Sequence, residues 1–168
     1  MIIGVLSDSH IPGRANKIPA FIWQAFAEVD LILHAGDIVD ERVLIDLNAL
    51  APVEAVYGNM DQRNEYHIYQ LTKKKIIAAG NKKIGLIHGD GSSGSTLERA
   101  ARAFSDDEVD CVVFGHSHQP FNEVINGVLM FNPGSCTNPR REPQPSCGIL
   151  YVGKDIKGEV LYFDKQGN

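Results

Sequence analysis

The sequence predicts an α/β fold in which two stacked, mixed β-sheets carry helices on their outer faces. Three observations lead there. Up to residue 118, short apolar runs (IIGVL, LIL, VEAV, IGLI, CVVF) alternate with stretches of helical pattern. After residue 120 only strand-like runs remain, at 121–125, 128–132, 147–153 and 158–163. Between the first two of these lies Asn126-Gly127, a favoured two-residue hairpin turn.

Each element has its own local reason. Residues 1–7 form a strand that empties into a turn-rich segment, SHIPGRANK. A helix is expected from about Pro19, whose fixed φ suits a first turn, to Val29. Strand 31–35 follows, then Asp40 as the N-cap of a helix over 41–50, then strand 53–57. The stretch 61–72 (DQRNEYHIYQLT) is polar and aperiodic and reads as an irregular connection. Residues 74–80 and 82–87 make a hairpin around Gly80-Asn81. Ser95 and Glu98 form a capping box for a helix over 96–104, and strand 110–115 ends this half. Lys157-Gly158 is a second candidate turn, and the Pro-rich PRREPQP at 139–145 is an exposed loop. With 168 residues and 43% hydrophobic content, the chain can bury one good core, which gives a single domain over 1–168.

Every apolar run of the first half stops at residues able to bind a metal. They are Asp8 and His10 in S-D-S-H, Asp37 in H-A-G-D, Asn59 in Y-G-N-M-D, His88 in I-H-G-D, and His116 with His118 in G-H-S-H. Taken singly, each motif also fits a simple turn. Together, two Asp, four His and one Asn are too many for one ion and suit two. Imidazole and carboxylate without thiolate favour Mn, Fe, Zn, Co or Ni over Ca or an iron–sulfur cluster. Two aspartates against two divalent ions leave a surplus of about two positive charges, which would draw a phosphate.

In this order, D-S-H, G-D, G-N, H-G and G-H-S-H resemble the motifs of the calcineurin-like metallophosphoesterases. The words IPGRA, HAGDIVD, GNMD and NPGS look like its small, single-domain phosphodiesterase branch. The resemblance runs from Met1 to about Arg140. It implies a four-layer αββα sandwich and a metal-dependent phosphodiesterase that hydrolyses small or activated phosphodiesters. By matching positions, Asp8, His10 and His118 would hold one metal, Asn59, His88 and His116 the other, and Asp37 would bridge them. Two divalent ions per chain are implied, Mn²⁺ first, with Ni²⁺, Zn²⁺, Fe²⁺ or Co²⁺ as alternatives. Asn59, His88 and His116 would then be catalytic around a metal-bound hydroxide, with Asn59 and Arg14 touching substrate. The alternatives are a phosphomonoesterase, or a non-catalytic protein-binding scaffold like the retromer subunit of the same fold.

The chain departs from the family at two places. Met60 stands where relatives that cleave poor leaving groups place a His, and Asp90 replaces the second His of His-Gly-His. Asp90 has three readings: a metal ligand, an acceptor for the outer N–H of His88, or a turn residue. The second is favoured because ligating imidazoles usually donate their other N–H to an oxygen, and the resemblance does not settle the position. His34 reads as a core or supporting residue, His67 as a surface one, and GSSG at 91–94 as a loop beside the site. Arg140 and Arg141 are further candidates for gripping the phosphate, whereas Cys136 has no visible base.

Composition narrows the rest. A net charge of −5 offers no basic field for long nucleic acid. The three cysteines lack paired spacing and read as free thiols, which points to the cytoplasm. The chain opens on a strand rather than a signal-peptide pattern, and no apolar run approaches membrane-spanning length. A homo-oligomer stays open.

Overall fold

Alternation along the first strand shows how the layers are built. In β1 (Ile2–Leu6), Ile3 and Val5 belong to one buried cluster and Leu6 to another, as a period of two requires. Gly4 faces the same way as Leu6 because the Phe26 ring occupies the place of a side chain there; a Cβ would lie 2.8 Å from it. The computed structural model describes residues 1–61 and 66–164.

One sheet contains β1, β2 (Leu31–His34), β3 (Val53–Ala55), β9 (Ser146–Val152) and β10 (Ile156–Tyr162), in the order β10-β9-β1-β2-β3. The other contains β4 (Lys74–Ala79), β5 (Lys82–Ile87), β6 (Cys111–Val113), β7 (Phe121–Ile125) and β8 (Val128–Asn132), in the order β4-β5-β6-β8-β7. In each sheet three strands run parallel, β1-β2-β3 and β5-β6-β8, with antiparallel strands beside them. Both sheets are therefore mixed, as the sequence predicts.

Three cores separate four layers. Ile3, Val5 and Leu33 meet Leu86, Val113 and Phe131 between the sheets. Outside the first sheet, α1 (Ala20–Ala25) and α2 (Arg42–Asn48) pack Ile22, Leu44 and Leu47 against Leu6, Ile32 and Ile149. Outside the second, Ala100 of α3 (Thr96–Ala103) and the adjoining Phe104 pack on Ile87, Val112 and Met130. This is the αββα sandwich. Among the described residues no helix is long and apolar enough to cross a membrane.

Several boundaries differ from expectation. Helix α1 stops at Ala25, and the chain to Val29 continues in i→i+3 turns, Ala27 to Gln24 and Val29 to Phe26. Phe26 leaves helical geometry (φ −103, ψ 11) with its ring against Gly4. Asp40 caps a turn rather than the helix itself, accepting the Arg42 amide at 2.9 Å, while Glu41 is the N-cap residue. Lys157 and Gly158 are not a turn; they lie in β10, paired with Tyr151 and Leu150, and the reversal falls at 153–155. The connection 61–72 makes an isolated bridge at Thr72 with Val56, and its residues 62–65 lie outside the described ones. The Ser95–Glu98 capping box is present.

Candidate metal centre

Parallel strands in register deliver their C-terminal ends to one edge, with Leu6 opposite His34, His34 opposite Ala55, and Val113 between Leu86 and Phe131. The loops beyond the strands continue the pairing. Asp8 N–H donates to Gly36 O and His10 N–H to Asp37 O, both at 3.0 Å, and Gly115 N–H donates to His88 O at 3.1 Å. Such close approach needs glycine at two positions. A Cβ on Gly58 would fall 2.6 Å from the Asp37 nitrogen, and one on Gly115 would fall 2.7 Å from Asp8 Oδ2. The loops also turn sharply, so Asp8, His10, Asp37, His116 and His118 all adopt positive φ, between 44° and 63°. Non-glycine residues rarely do so unless their surroundings hold them.

One residue that sequence reasoning missed does much of that holding. The Asp61 carboxylate accepts from Asp37 N–H (2.9 Å), Gly58 N–H (2.7 Å), Ile38 and Val39 N–H (both 2.8 Å) and Tyr66 O–H (2.8 Å). It ties the Asp37 loop to the Asn59 loop. The available signal is a carboxylate two residues beyond a ligand, in one of two short loops, HAGDIVD and YGNMD, whose amides lie beyond the strands and need an acceptor. Asp61→Asn replaces one acceptor oxygen with a donor facing backbone N–H groups. We expect it to weaken metal binding by about 10–100-fold, the usual cost of losing a group behind the ligands. Calorimetric metal titration checks this, and an unchanged affinity would show that the loops hold without it.

At the edge itself the side chains converge. His118 Nε2 lies 3.2 Å from Asp8 Oδ1, and His10 Nε2 lies 3.2 Å from His118 Nε2. Asp37 Oδ2 sits 3.7 Å from His10 Nε2 and 3.4 Å from His88 Nε2. His116 Nδ1 is 3.3 Å from His88 Nε2 and 3.0 Å from Asn59 Oδ1. Two groups of donor atoms fall within 4.8 Å of one another, Asp8 with His10 and His118, and Asp8 with Asp37 and His88. All seven residues singled out in the sequence thus meet. Asp8 belongs to both groups, so its free oxygen is as central as that of Asp37.

This donor set fits divalent cations. Asp8 Oδ1 is buried without a hydrogen-bond donor, although Oδ2 accepts from Ser7 O–H (2.6 Å) and His116 N–H (2.9 Å). An orphaned buried carboxylate oxygen demands a partner. The imidazoles facing it are fixed from behind: His88 Nδ1 donates to Ala35 O at 2.7 Å and His118 Nδ1 to Asn138 O at 2.5 Å. A carbonyl can only accept, so in each ring the inward nitrogen is left to carry the lone pair.

Without a cation, the groups neutralise one another. Burial pushes both aspartates up, but His118 and His88 beside Asp8, and His88 beside Asp37, outweigh it and hold both carboxyls below their ordinary range. Burial pushes His88 down, yet contact with Asp37 and the charge of Asp8 raise it to about 9. His10 and His116 are lowered, chiefly by burial.

Other expectations resolve individually. Asp90 does not receive the His88 ring; it lies 3.7 Å from Lys73 Nζ, and the backbone carbonyl of Ala35 takes that N–H instead. His34 is fully buried, with Nε2 3.0 Å from Ser9 Oγ and Nδ1 accepting Gly36 N–H, a supporting role as expected. His67 is exposed. Arg99 braces the loop at 91–94, donating to Gly89 O, Gly94 O and Thr96 Oγ1. Met60 donates its backbone N–H to Asp37 Oδ1 at 2.8 Å while its side chain is 55% exposed. Cys136 is buried and its thiol pushed up to about 12 by that burial, which removes it as a nucleophile. Arg14 donates its backbone N–H to His10 O, and its side chain is exposed.

The four-layer fold and an imidazole–carboxylate donor set at its joint edge define a candidate metallophosphoesterase. A model of the calcineurin-like phosphoesterase superfamily domain matches residues 1–155, and the chain belongs to that superfamily. A probable metallophosphoesterase of Methanothermobacter thermautotrophicus is 36% identical over 162 residues, covering 96% of this chain and 92% of that protein. Among solved structures, wild-type Vps29 of Entamoeba histolytica complexed with Zn²⁺ superposes with a TM-score of 0.76 at 26% identity, over 98% of this chain and 100% of that one. A structure described as a novel archaeal phosphodiesterase superposes with a TM-score of 0.70 at 28% identity, over 96% and 100%.

Proposed function

We propose that this chain is a metal-dependent phosphodiesterase for small or activated diesters, and that residues 1–168 form one such domain. In this reading Asp8, His10 and His118 hold one divalent ion and Asn59, His88 and His116 a second, with Asp37 between them. The observation that carries it is the donor-less, buried Asp8 Oδ1 facing imidazole nitrogens whose outer N–H groups are already used. Bound divalent ions supply a water of lowered pKa and a clamp on phosphoryl oxygens. The chain supplies rigidity and charge: Asp8 and Asp37 offset the cations, and the anchored His88 and His118 need not reorganise. Asn59, its Oδ1 turned towards His116, keeps an amide nitrogen to donate to a phosphoryl oxygen. Mn²⁺ is the first choice of metal, and three free, buried cysteines fit a reducing compartment such as the cytoplasm. The test is metal content with turnover of bis-p-nitrophenyl phosphate. We expect two ions per chain and turnover that scales with occupancy; a protein that binds no metal would end the proposal.

Met60 sets the expected substrate range. A thioether at the rim can neither donate a proton nor stabilise a departing alkoxide, and positioned acid–base help is worth about 10²–10⁴-fold. Aryl diesters should therefore react far better than alkyl diesters or monoesters. Met60→His should raise alkyl-diester and monoester rates by about tenfold or more relative to the aryl diester. Equal changes on all three substrates would show that this position does not control leaving-group departure.

A further inference from the structure

A cavity of about 340 Å³ opens between the loop after His10 and the loop after Cys136. Its walls include Arg14, Arg140, Asn138, Pro19, Pro145 and Phe163. Three contacts join it to the metal-ligand loops. Arg14 N–H donates to His10 O at 2.8 Å, Asn138 O accepts from His118 Nδ1, and Arg140 Nη1 lies 3.4 Å from His116 O. The cavity and the candidate centre therefore share one wall.

Its chemistry is uneven in a useful way. The Arg14 guanidinium has no hydrogen-bond or ion-pair partner among the described residues, and Arg140 uses one N–H on the His116 carbonyl and keeps the rest. Among the described lining residues two guanidiniums stand beside one carboxylate, Asp164, in a chain whose formal net charge is −5. Guanidinium forks match phosphate oxygens in pairs. The prolines and Phe163, whose ring stacks on Phe21 with centroids 4.8 Å apart, add rigid apolar wall. A volume of this size falls at the lower end of small-molecule sites and exceeds what one phosphate needs.

Resting on the phosphodiesterase reading above, we infer that this cavity receives the retained substituent of the diester and selects substituents that carry a second phosphate. The carbon skeleton lies against the prolines and Phe163, and Arg14 and Arg140 bind the distal phosphate. Both arginines act on binding: neither is among the metal-ligating side chains, and each can donate to phosphate oxygens but not accept a proton from the reacting centre.

The test compares p-nitrophenyl ethyl phosphate with p-nitrophenyl 2-phosphoethyl phosphate, which share a leaving group and differ only in the distal phosphate. With Mn²⁺ the wild-type protein is expected to prefer the second by about tenfold or more in kcat/KM, mostly through KM. In the double variant R14A/R140A the ratio should fall to within about twofold, and R14K/R140K should recover part of it. A second measurement does not need turnover: calorimetric titration of the metal-free protein with ethanediol bisphosphate and with ethyl phosphate. The wild type should bind the bisphosphate more tightly, and R14A/R140A should lose that difference. Equal efficiency on both diesters, or a preference that survives the double variant, overturns the inference. If metal is bound and neither diester turns over, the phosphodiesterase reading fails, and the metal-free titration still decides whether the cavity binds a phosphate.

Discussion

Chelation with EDTA should abolish turnover, and Mn²⁺ should restore it in full. The donor set explains why the loss should be complete. Among the described residues the thiol of Cys136 is held protonated by burial, and the hydroxyls of Ser7, Ser9 and Ser135 are taken up in hydrogen bonds to Asp8, to His34 and to the backbone of Asp8, so the nucleophile in this reading comes with the metal. A readout independent of activity accompanies this one. An ion that binds only the folded state stabilises it by about 2.7 kcal/mol at a hundred times its dissociation constant. Thermal unfolding should therefore shift upward as Mn²⁺ is added to the stripped protein. Full activity in metal-free protein would rule out the mechanism, and a midpoint indifferent to Mn²⁺ would rule out the site.

Asp37→Asn should be the most damaging single substitution. Asp37 Oδ1 is committed to Met60 N–H, so an asparagine must place its carbonyl there and turn its NH₂ towards His10 and His88. A donor would then face the cations where an anion stood. We expect metal affinity to fall by more than the roughly 10–100-fold typical of supporting residues, with turnover falling in parallel. Asp8→Asn is the informative comparison, because Asp8 Oδ2 is likewise committed, to Ser7 and His116, with Oδ1 directed inward. Metal stoichiometry separates the two roles. If Asp8→Asn loses both ions and Asp37→Asn only one, Asp8 is the bridge and the assignment of Asp37 is wrong.

Much of this was legible in the sequence because it is written locally. Apolar runs of strand length marked β1, β2, β5 and β6, and the residues that end them are those that meet at the edge. The 96–104 helix announced its start through Ser95 and Glu98. What escaped depends on partners remote in the chain. The acceptor for His88 is a backbone carbonyl at Ala35, which no side-chain pattern can advertise, so the nearby Asp90 was the natural but wrong choice. Asp61 matters through four amides and a phenol that only the fold assembles around it. The early end of α1 accompanies Phe26 seated on Gly4 of a strand more than twenty residues away, where helical propensity has no say.

The left-handed backbone at Asp8, His10, Asp37, His116 and His118 also bears on the protein's history. At about 1 kcal/mol each, the five positions together lie on the order of 5 kcal/mol above a relaxed chain, a sizeable share of the roughly 5–15 kcal/mol that keeps a domain folded. The three cores must carry that load. Glycine or asparagine would relieve it at any of these positions, so selection for stability pulls against selection for the centre. A lineage released from catalysis would be expected to shed its ligands quickly and keep the sandwich, now sturdier, as a surface open to other uses.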